Sequence, residues 1–163
     1  FVEFYTQHLA VPERRNVDNA DVLAGAELFK QADCQACHTP YFKTATNGEL
    51  PALSNQDIFP FTDMLLHDMG EDLSDLQQDG TAAPSGETSE FLASSREWRT
   101  PALWGLGLSN VVNAEAGFLH DGRARTPMEA VLWHGGEGQA SKDVVLTFTA
   151  EERAQFEAFL MSL

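Results

Sequence analysis

Apolar residues recur at helical spacing in two stretches of the chain. In residues 19–33, one helical face carries Val22, Ala26 and Phe29. In the last segment, the residues at i, i+3, i+4 and i+7 are Phe156, Phe159, Leu160 and Leu163. Apolar residues also cluster within residues 1–9, shortly before a proline that cannot continue a helix. The pattern therefore predicts a short N-terminal helix, a longer helix over residues 19–33 and a C-terminal helix.

Two positions carry the residue types that begin helices. Thr126, Pro127 and Glu129 match the N-cap, N1 and N3 positions of a capped helix, which should end near residue 134 at the following pair of glycines. Thr149 and Glu152 repeat the capping-box spacing at the start of the C-terminal helix. These signals add a fourth helix and fix the start of the last one.

The remaining segments are rich in turn-forming residues. Residues 39–57 read as turns, and residues 61–69 predict a short helix or turn. Residues 71–95 are polar and acidic, which predicts an exposed loop. No pair of strands is predicted, so the expected fold class is all-α, with short helices and long loops. Residues 1–163 should form a single domain, in which residues 1–18 are an N-terminal extension or the end of a preceding domain.

Size and charge narrow the classes of protein. The chain has 163 residues, 43% of them hydrophobic, which suits one domain with a substantial core. No apolar run approaches the length of a membrane span. Ten Lys and Arg against twenty-five Asp and Glu give a net charge of −15, which disfavours nucleic acid as a partner. A basic protein partner would be attracted by this charge, although acidity also serves solubility alone.

The run Cys34-Gln35-Ala36-Cys37-His38 has the C-x-x-C-H spacing through which c-type haem is attached. Each thiol can form a thioether with a haem vinyl group, and His38 then binds the iron as its proximal ligand. A redox dithiol would be expected beside a βαβ pattern, which is not visible here. A zinc site needs four ligands, and the chain has only two cysteines. The motif therefore predicts one covalent haem c, held through Cys34 and Cys37.

The residues alone leave open which side chain binds the opposite face of the iron. His and Met both serve in this position, and Met raises the reduction potential relative to His. Four candidates remain after side chains that read as packing or surface residues are set aside: His67, Met69, His120 and His134. Spacing does not rank these four.

Several segments together resemble the C-terminal haem domain of the bacterial di-haem cytochrome c peroxidases and of the methylamine dehydrogenase maturation enzyme. They are still more similar to the di-haem oxidoreductase family, often labelled thiol oxidoreductase-like. The matching segments occur in the family's order: residues 34–38, 61–63, 66–70, 96–107, 118–123 and 128–136. Each segment is short, but the ordered set is specific. The resemblance implies a cytochrome c-like haem domain.

The resemblance also implies a distal ligand. In the peroxidase relatives this ligand lies fourteen residues after the histidine of an H-D-G motif, and the same step from His120 leads to His134. His38 and His134 would then be the two axial ligands, with Met69 as the alternative. The segment around His67 corresponds to a haem-pocket motif of the relatives and not to a ligand.

Four further residues in the matching segments are expected near the haem. The resemblance implies that His120 contacts the haem edge or the propionates; the alternative is a local hydrogen bond in a turn. Arg99 and Arg123 suit bidentate binding of a propionate, or else they pair with surface acids. Trp98 is a haem-packing residue or, as the relatives suggest, a relay for electrons.

The related families carry two haems, whereas this chain has one C-x-x-C-H and begins without a leader. We therefore expect the C-terminal portion of a longer di-haem protein, with a second haem domain or a redox protein as its partner. An iron with two protein ligands would transfer electrons. The alternative is a peroxidase or oxidase with an open iron site, using His67, Asp68 or His120 as acid–base groups. Haem is normally attached covalently outside the cytoplasm, which implies a periplasmic location.

Overall fold

The computed structural model of the chain describes residues 1–75 and 90–163. Within these ranges the helices are α1 (Val2–Gln7), α2 (Ala20–Gln31), α3 (Ser109–Val112), α4 (Pro127–Trp133), α5 (Gln139–Leu146) and α6 (Ala150–Leu160). Short 3-10 turns are formed by Cys34–Ala36, Pro51–Leu53, Glu71–Leu73, Leu106–Leu108 and Gly136–Gly138. Helices α1, α2, α4 and α6 were predicted, whereas α3 and α5 were not. None of these helices combines the length and the apolar character needed to cross a membrane.

Helices α2 and α6 pack against each other at the centre of the core. Their buried side chains are Val22, Leu28, Phe29, Phe156, Phe159 and Leu160. The two backbones approach closely at Gly25, where an added Cβ would lie 2.0 Å from the carbonyl oxygen of Gln155. A side chain at position 25 would push the helices apart, so this packing requires glycine. Helix α4 joins the same core through Met128 and Val131.

Side-chain caps fix the first residues of α4 and α6. At α6, the hydroxyl of Thr149 and the carboxylate of Glu152 form the complete predicted capping box. At α4, the hydroxyl of Thr126 accepts the N–H of Glu129 at 3.0 Å. The carboxylate of Glu129, however, accepts the N–H of Arg125 at 2.9 Å. The predicted capping box of α4 is therefore only half formed.

The expectation of an all-α fold is wrong, because the described residues contain two small antiparallel sheets. Strand β1 (Phe42–Lys43) pairs with β2 (Asp57–Ile58), and β3 (Leu66–Asp68) pairs with β4 (Glu97–Arg99). The fold is thus mixed, with helices forming the core. Strands of two or three residues are too short to produce a period-two pattern, and their partners lie far away in sequence. Strand β3 also occupies part of residues 61–69, where a helix or turn was expected.

The predicted exposed loop, residues 71–95, is described only at its two ends, and residues 76–89 lie outside the described part of the chain. At these ends, Leu73, Ser74 and Ser95 are all buried. The hydroxyl groups of Ser74 and Ser95 form a hydrogen bond of 2.8 Å. The two ends therefore meet and pack against the body of the domain.

Candidate functional site

The C-x-x-C-H run follows α2 directly. Asp33 leaves the helix in the left-handed conformation with φ 55°, and Cys34–Ala36 then forms a 3-10 turn. The backbone N–H of His38 donates to the carbonyl oxygen of Cys34 at 2.9 Å. Cys34 also packs against the core formed by α2 and α6. The run is therefore a compact loop that directly follows α2 and contacts the core formed by α2 and α6.

The ring of His38 is fixed by a hydrogen bond to a backbone carbonyl. Its Nδ1 lies 3.0 Å from the carbonyl oxygen of Phe61. Burial lowers the pKa of His38 to about 4, so the ring is neutral at pH 7. A carbonyl can only accept, so Nδ1 carries the hydrogen and Nε2 keeps its lone pair. His38 therefore presents an unprotonated nitrogen, the form in which histidine binds a metal.

Phe61 is held in an unusual conformation beside His38. Its φ of 54° lies in the left-handed region, which bulky residues rarely adopt. Its buried ring contacts the rings of Phe29 and Phe159, with centroids 6.1 and 5.9 Å away. The next residue, Thr62, is buried and donates its hydroxyl hydrogen to the Thr100 carbonyl at 2.6 Å. Core packing thus maintains a strained backbone that supplies the partner of His38.

His134, at the end of α4, has the same arrangement. Its Nδ1 lies 2.8 Å from the carbonyl oxygen of Ala130, and burial lowers its pKa. The neutral ring therefore donates from Nδ1 and keeps the lone pair on Nε2. Charge on His134 would also contribute to lowering the pKa of His38, after the larger effect of burial. The structure thus has two half-buried, neutral imidazoles, each anchored through Nδ1, and such nitrogens are a donor set that suits a haem iron.

Met69, the alternative distal ligand, lies beside His134. A Cβ built on Gly138 would be 3.2 Å from Cβ and Cδ2 of His134 and 3.5 Å from the methyl carbon of Met69. Both side chains therefore flank the same glycine, and the two distal candidates share one part of the site.

His67 is bound on both ring nitrogens by carboxylates. Its Nε2 lies 2.7 Å from Asp63 Oδ2, and its Nδ1 lies 2.8 Å from Glu137 Oε2. The bond to Glu137 is the main cause that raises the pKa of His67, which favours the imidazolium form. Cys37, Asp63 and His67 also bring potential ligand atoms within 4.8 Å of one another. Because both nitrogens of His67 donate, neither offers a lone pair to a metal in this arrangement.

Burial raises the pKa of both cysteines. The thiol of Cys34 reaches about 12, and the nearby carboxylate of Asp63 adds to the upward shift at Cys37. A reactive dithiol needs a lowered thiol pKa, because the thiolate is the nucleophile. The shifts at this C-x-x-C run are opposite to those of a redox dithiol.

His120 and Trp98 stack face to face, with ring centroids 3.6 Å apart and an interplanar angle of 9°. The indole N–H of Trp98 donates to the carbonyl oxygen of Leu73 at 2.8 Å. Burial lowers the pKa of His120, whose Nε2 lies 4.0 Å from Asp121. The structure therefore joins two predicted haem-contact residues into one aromatic pair.

The two predicted propionate-binding arginines differ in their surroundings. The Nε atom of Arg123 lies 2.7 Å from Oδ2 of Asp121. The guanidinium carbon of Arg123 lies 4.9 Å from the ring centroid of Trp133, the residue before His134. Arg99 is exposed, and its guanidinium lies 3.9 Å from the sulfur of Met64. Arg123 is thus already part of a local network beside α4, whereas Arg99 lies on the surface of β4.

Sequence reasoning missed the groups that hold the histidines. The carbonyls of Phe61 and Ala130 have no sequence signal, because any residue supplies one. Glu137 was also missed, although a charged residue between glycines directly after His134 is a signal that could have been noticed. Asp63, four residues before His67, is the other carboxylate of this group.

Comparison with known proteins gives one match. The family model described as "Di-haem oxidoreductase, putative peroxidase" matches residues 1–163. No curated protein and no solved structure matches the chain. The family match agrees with the resemblance carried by the ordered segments, and it supports haem and oxidoreductase chemistry. The chain belongs to the di-haem oxidoreductase family.

Proposed function

We propose that this chain is a c-type haem electron-transfer domain. In this proposal one haem c is attached through Cys34 and Cys37, with His38 as proximal and His134 as distal ligand. The observation that carries it is the shared state of the two histidines: each is half-buried, neutral and fixed by an Nδ1–H bond to a carbonyl. The stacked rings of Trp98 and His120 are suited to packing beside the cofactor.

The chemistry of the bound group would be a one-electron change between ferric and ferrous iron. The chain's part is to hold the ligands still during that change. The carbonyls of Phe61 and Ala130 fix the orientation of the two rings and increase the basicity of their Nε2 atoms. With His38 and His134 both bound to the iron, peroxide would have no free ligand position.

The proposal extends to the setting of the domain. A relay haem at the C-terminal end of a di-haem protein would exchange electrons with a second haem domain or a soluble redox protein. The net charge of −15 would favour a basic partner through long-range attraction. Covalent haem attachment, which is itself part of the proposal, would imply a location in the periplasm or another compartment outside the cytoplasm.

A second candidate is a peroxidase or oxidase with an open iron site in this domain. The family description, which includes a peroxidase, favours it. It needs an acid–base group near the iron, and His67 with its two carboxylates is the group that fits best. The intact protein could still be an enzyme if another haem domain supplies the open site.

Haem attachment is tested by the intact mass of the purified protein together with a pyridine haemochrome measurement. The expected result is one haem per chain that remains bound under denaturing conditions. Cys34→Ser and Cys37→Ser variants should each shift the haemochrome band, because one thioether is lost. Haem that is released on denaturation, or a thiol count that shows both cysteines free, would contradict the proposal.

The two candidate functions are separated by the ferric optical spectrum with and without cyanide. Electron transfer predicts a low-spin spectrum that cyanide and peroxide change only slowly. An open site predicts a high-spin band, rapid cyanide binding and turnover of peroxide with a reductant. The second outcome would replace the first candidate with the peroxidase.

A further inference from the structure

The turn that follows His134 touches the backbone of β3 and the residues after it. Gly136 has φ 50°, and a Cβ on it would lie 2.1 Å from the carbonyl oxygen of Asp68. A Cβ on Gly135 would lie 2.9 Å from the carbonyl oxygen of Met69, and one on Gly70 would lie 2.8 Å from the Gly136 nitrogen. A side chain at any of these three positions would clash with the neighbouring backbone, so the turn can lie against the strand in this way only with glycine there.

Glu137 is the side chain that fastens this turn. Its Oε1 accepts the backbone N–H of Asp68 at 3.0 Å, and its Oε2 accepts the Nδ1–H of His67 at 2.8 Å. One carboxylate thus bonds to two successive residues of β3. Both bonds are charge-assisted, which makes them stronger than bonds between neutral groups.

The network continues to the proximal side. His67 donates from Nε2 to Asp63 at 2.7 Å, and Asp63 also accepts the backbone N–H of Leu65 at 2.9 Å. Asp63 lies two residues after Phe61, whose carbonyl holds His38. A single path of hydrogen bonds therefore joins the turn after one histidine to the segment that orients the other.

An isolated surface ion pair would be a weak link, because solvent screens it and two side chains must be ordered. Here the side chain of Glu137 is 56% exposed, but that of His67 is only 15% exposed and that of Asp63 only 13%. Three side chains and two backbone N–H groups form one network around a turn that already fits its neighbour closely. Such a network limits movement of the turn more than a single pair would.

We propose that Glu137 is a positioning residue for the distal ligand. Through Asp68 and His67 it holds the Gly135–Gly138 turn against β3, and so it keeps His134 at the iron. This inference rests on the proposed function, because it takes His134 as the distal ligand. Release of Glu137 would let the turn move, and the distal position would open to small ligands more often.

The test is the rate at which the ferric holoprotein binds cyanide, since cyanide can enter only when the distal ligand leaves. Glu137→Ala is expected to raise this rate by about tenfold, because two charge-assisted bonds are lost. Glu137→Gln keeps an acceptor for the Asp68 N–H, but its amide carries no charge and its NH2 group can meet His67 only as a donor to a neutral ring. Both bonds then lose their charge assistance, so an intermediate rate is expected. If Glu137→Ala fails to fold, Glu137→Gln alone decides the result.

Two controls separate positioning from other effects. Glu151→Ala removes an equal charge from an exposed residue at the start of α6, and Thr149→Ala removes a helix cap and thereby lowers stability. Both should bind cyanide at the wild-type rate. A wild-type rate in the Glu137 variants, or an equal increase in either control, would overturn the inference.

His134→Ala distinguishes failure of this inference from failure of the proposed function. If His134→Ala binds cyanide at once while the Glu137 variants behave as wild type, the ligand assignment stands and the role of Glu137 is rejected. If His134→Ala keeps a low-spin spectrum and the wild-type rate, the ligand assignment is rejected and the inference falls with it.

Discussion

The two sides of the proposed iron site are built by different means. On the proximal side, the ring of His38 lies 6.3 Å from that of Phe29 and bonds to Phe61, both buried in the core of α2 and α6. On the distal side, His134 ends a seven-residue helix and is followed by a turn that a half-exposed Glu137 fastens to β3. Apolar packing thus fixes one ligand, whereas close backbone contact and charged hydrogen bonds fix the other. Changes on the first side should alter global stability, and changes on the second should alter ligand access.

The largest effect is expected from Phe29→Ala. Phe29 is buried and contacts Phe61, Phe156 and Phe159, so truncation would leave a cavity beside His38. The free energy of unfolding should fall by about 3–5 kcal/mol. Urea unfolding followed by circular dichroism measures this change. As a control, Leu23→Ala on the exposed side of the same helix should lower the free energy of unfolding by about 0.5 kcal/mol or less. Equal decreases in the two variants would contradict the conclusion that apolar packing fixes the proximal side.

Gly136→Ala should lower the free energy of unfolding less than Phe29→Ala does, but it should disturb the turn after His134 more. The positive φ and the short distance to the Asp68 carbonyl disfavour any side chain, at a cost of about 1–3 kcal/mol. The turn can avoid this cost by moving off β3 while α2 and α6 stay packed. Hydrogen exchange should therefore speed up at the amides of residues 135–138 and stay unchanged in α2. Faster exchange throughout α2 would mean that the distal turn is part of the core.

Removing the helix caps of α4 and α6 should have effects on stability of intermediate size. Thr149→Ala removes the complete capping box of α6, and Thr126→Ala removes the half-formed box of α4. Each should lower the free energy of unfolding by about 1 kcal/mol, with the larger loss at Thr149. Only Thr126→Ala should also speed cyanide binding, because α4 carries His134. The same cyanide rate in the two variants would contradict the division between the sides.

The smallest effect is the pH dependence of the network around His67. The folded pKa of His67 is raised, so its contribution is complete below its unfolded value of about 6.5 and is lost as pH rises through the folded value. The pKa values of Asp63 and Glu137 are lowered, so their contributions are present above about pH 4 to 4.5 and are lost as pH falls further. The difference in unfolding free energy between the wild type and His67→Gln should therefore be largest near pH 5–6.5. A difference that grows toward pH 9 would contradict the sign of the His67 shift.

The parts of the fold that sequence reasoning found are those with long-range periodicity or strong caps. Helices α2 and α6 have an apolar face over several turns, and α6 has a complete capping box. Helix α5 was missed because its apolar residues lie at its end and no side chain caps its start. The strands were missed because β3 and β4 are three residues each and pair across a large separation in the chain.

The candidate site likewise has residues that a sequence pattern predicts and residues that only folding brings into contact. The spacing of the C-x-x-C-H motif was enough to predict Cys34, Cys37 and His38 as site residues. His134 was ranked above the other candidate ligands only through a family resemblance. Which nitrogen of each histidine stays free depends on the carbonyls of Phe61 and Ala130, and these are set by folding and not by side-chain identity. The part played by Glu137 depends on contact with β3, which lies about seventy residues earlier in the chain.

The axial pair is tested most directly by near-infrared magnetic circular dichroism of the ferric holoprotein, since the charge-transfer band reports the ligand types. Coordination by His38 and His134 predicts the band of a low-spin iron with two imidazole ligands, which His134→Ala should abolish. The band of a histidine–methionine pair, retained in His134→Ala, would assign the distal position to Met69 and contradict the proposed ligand set.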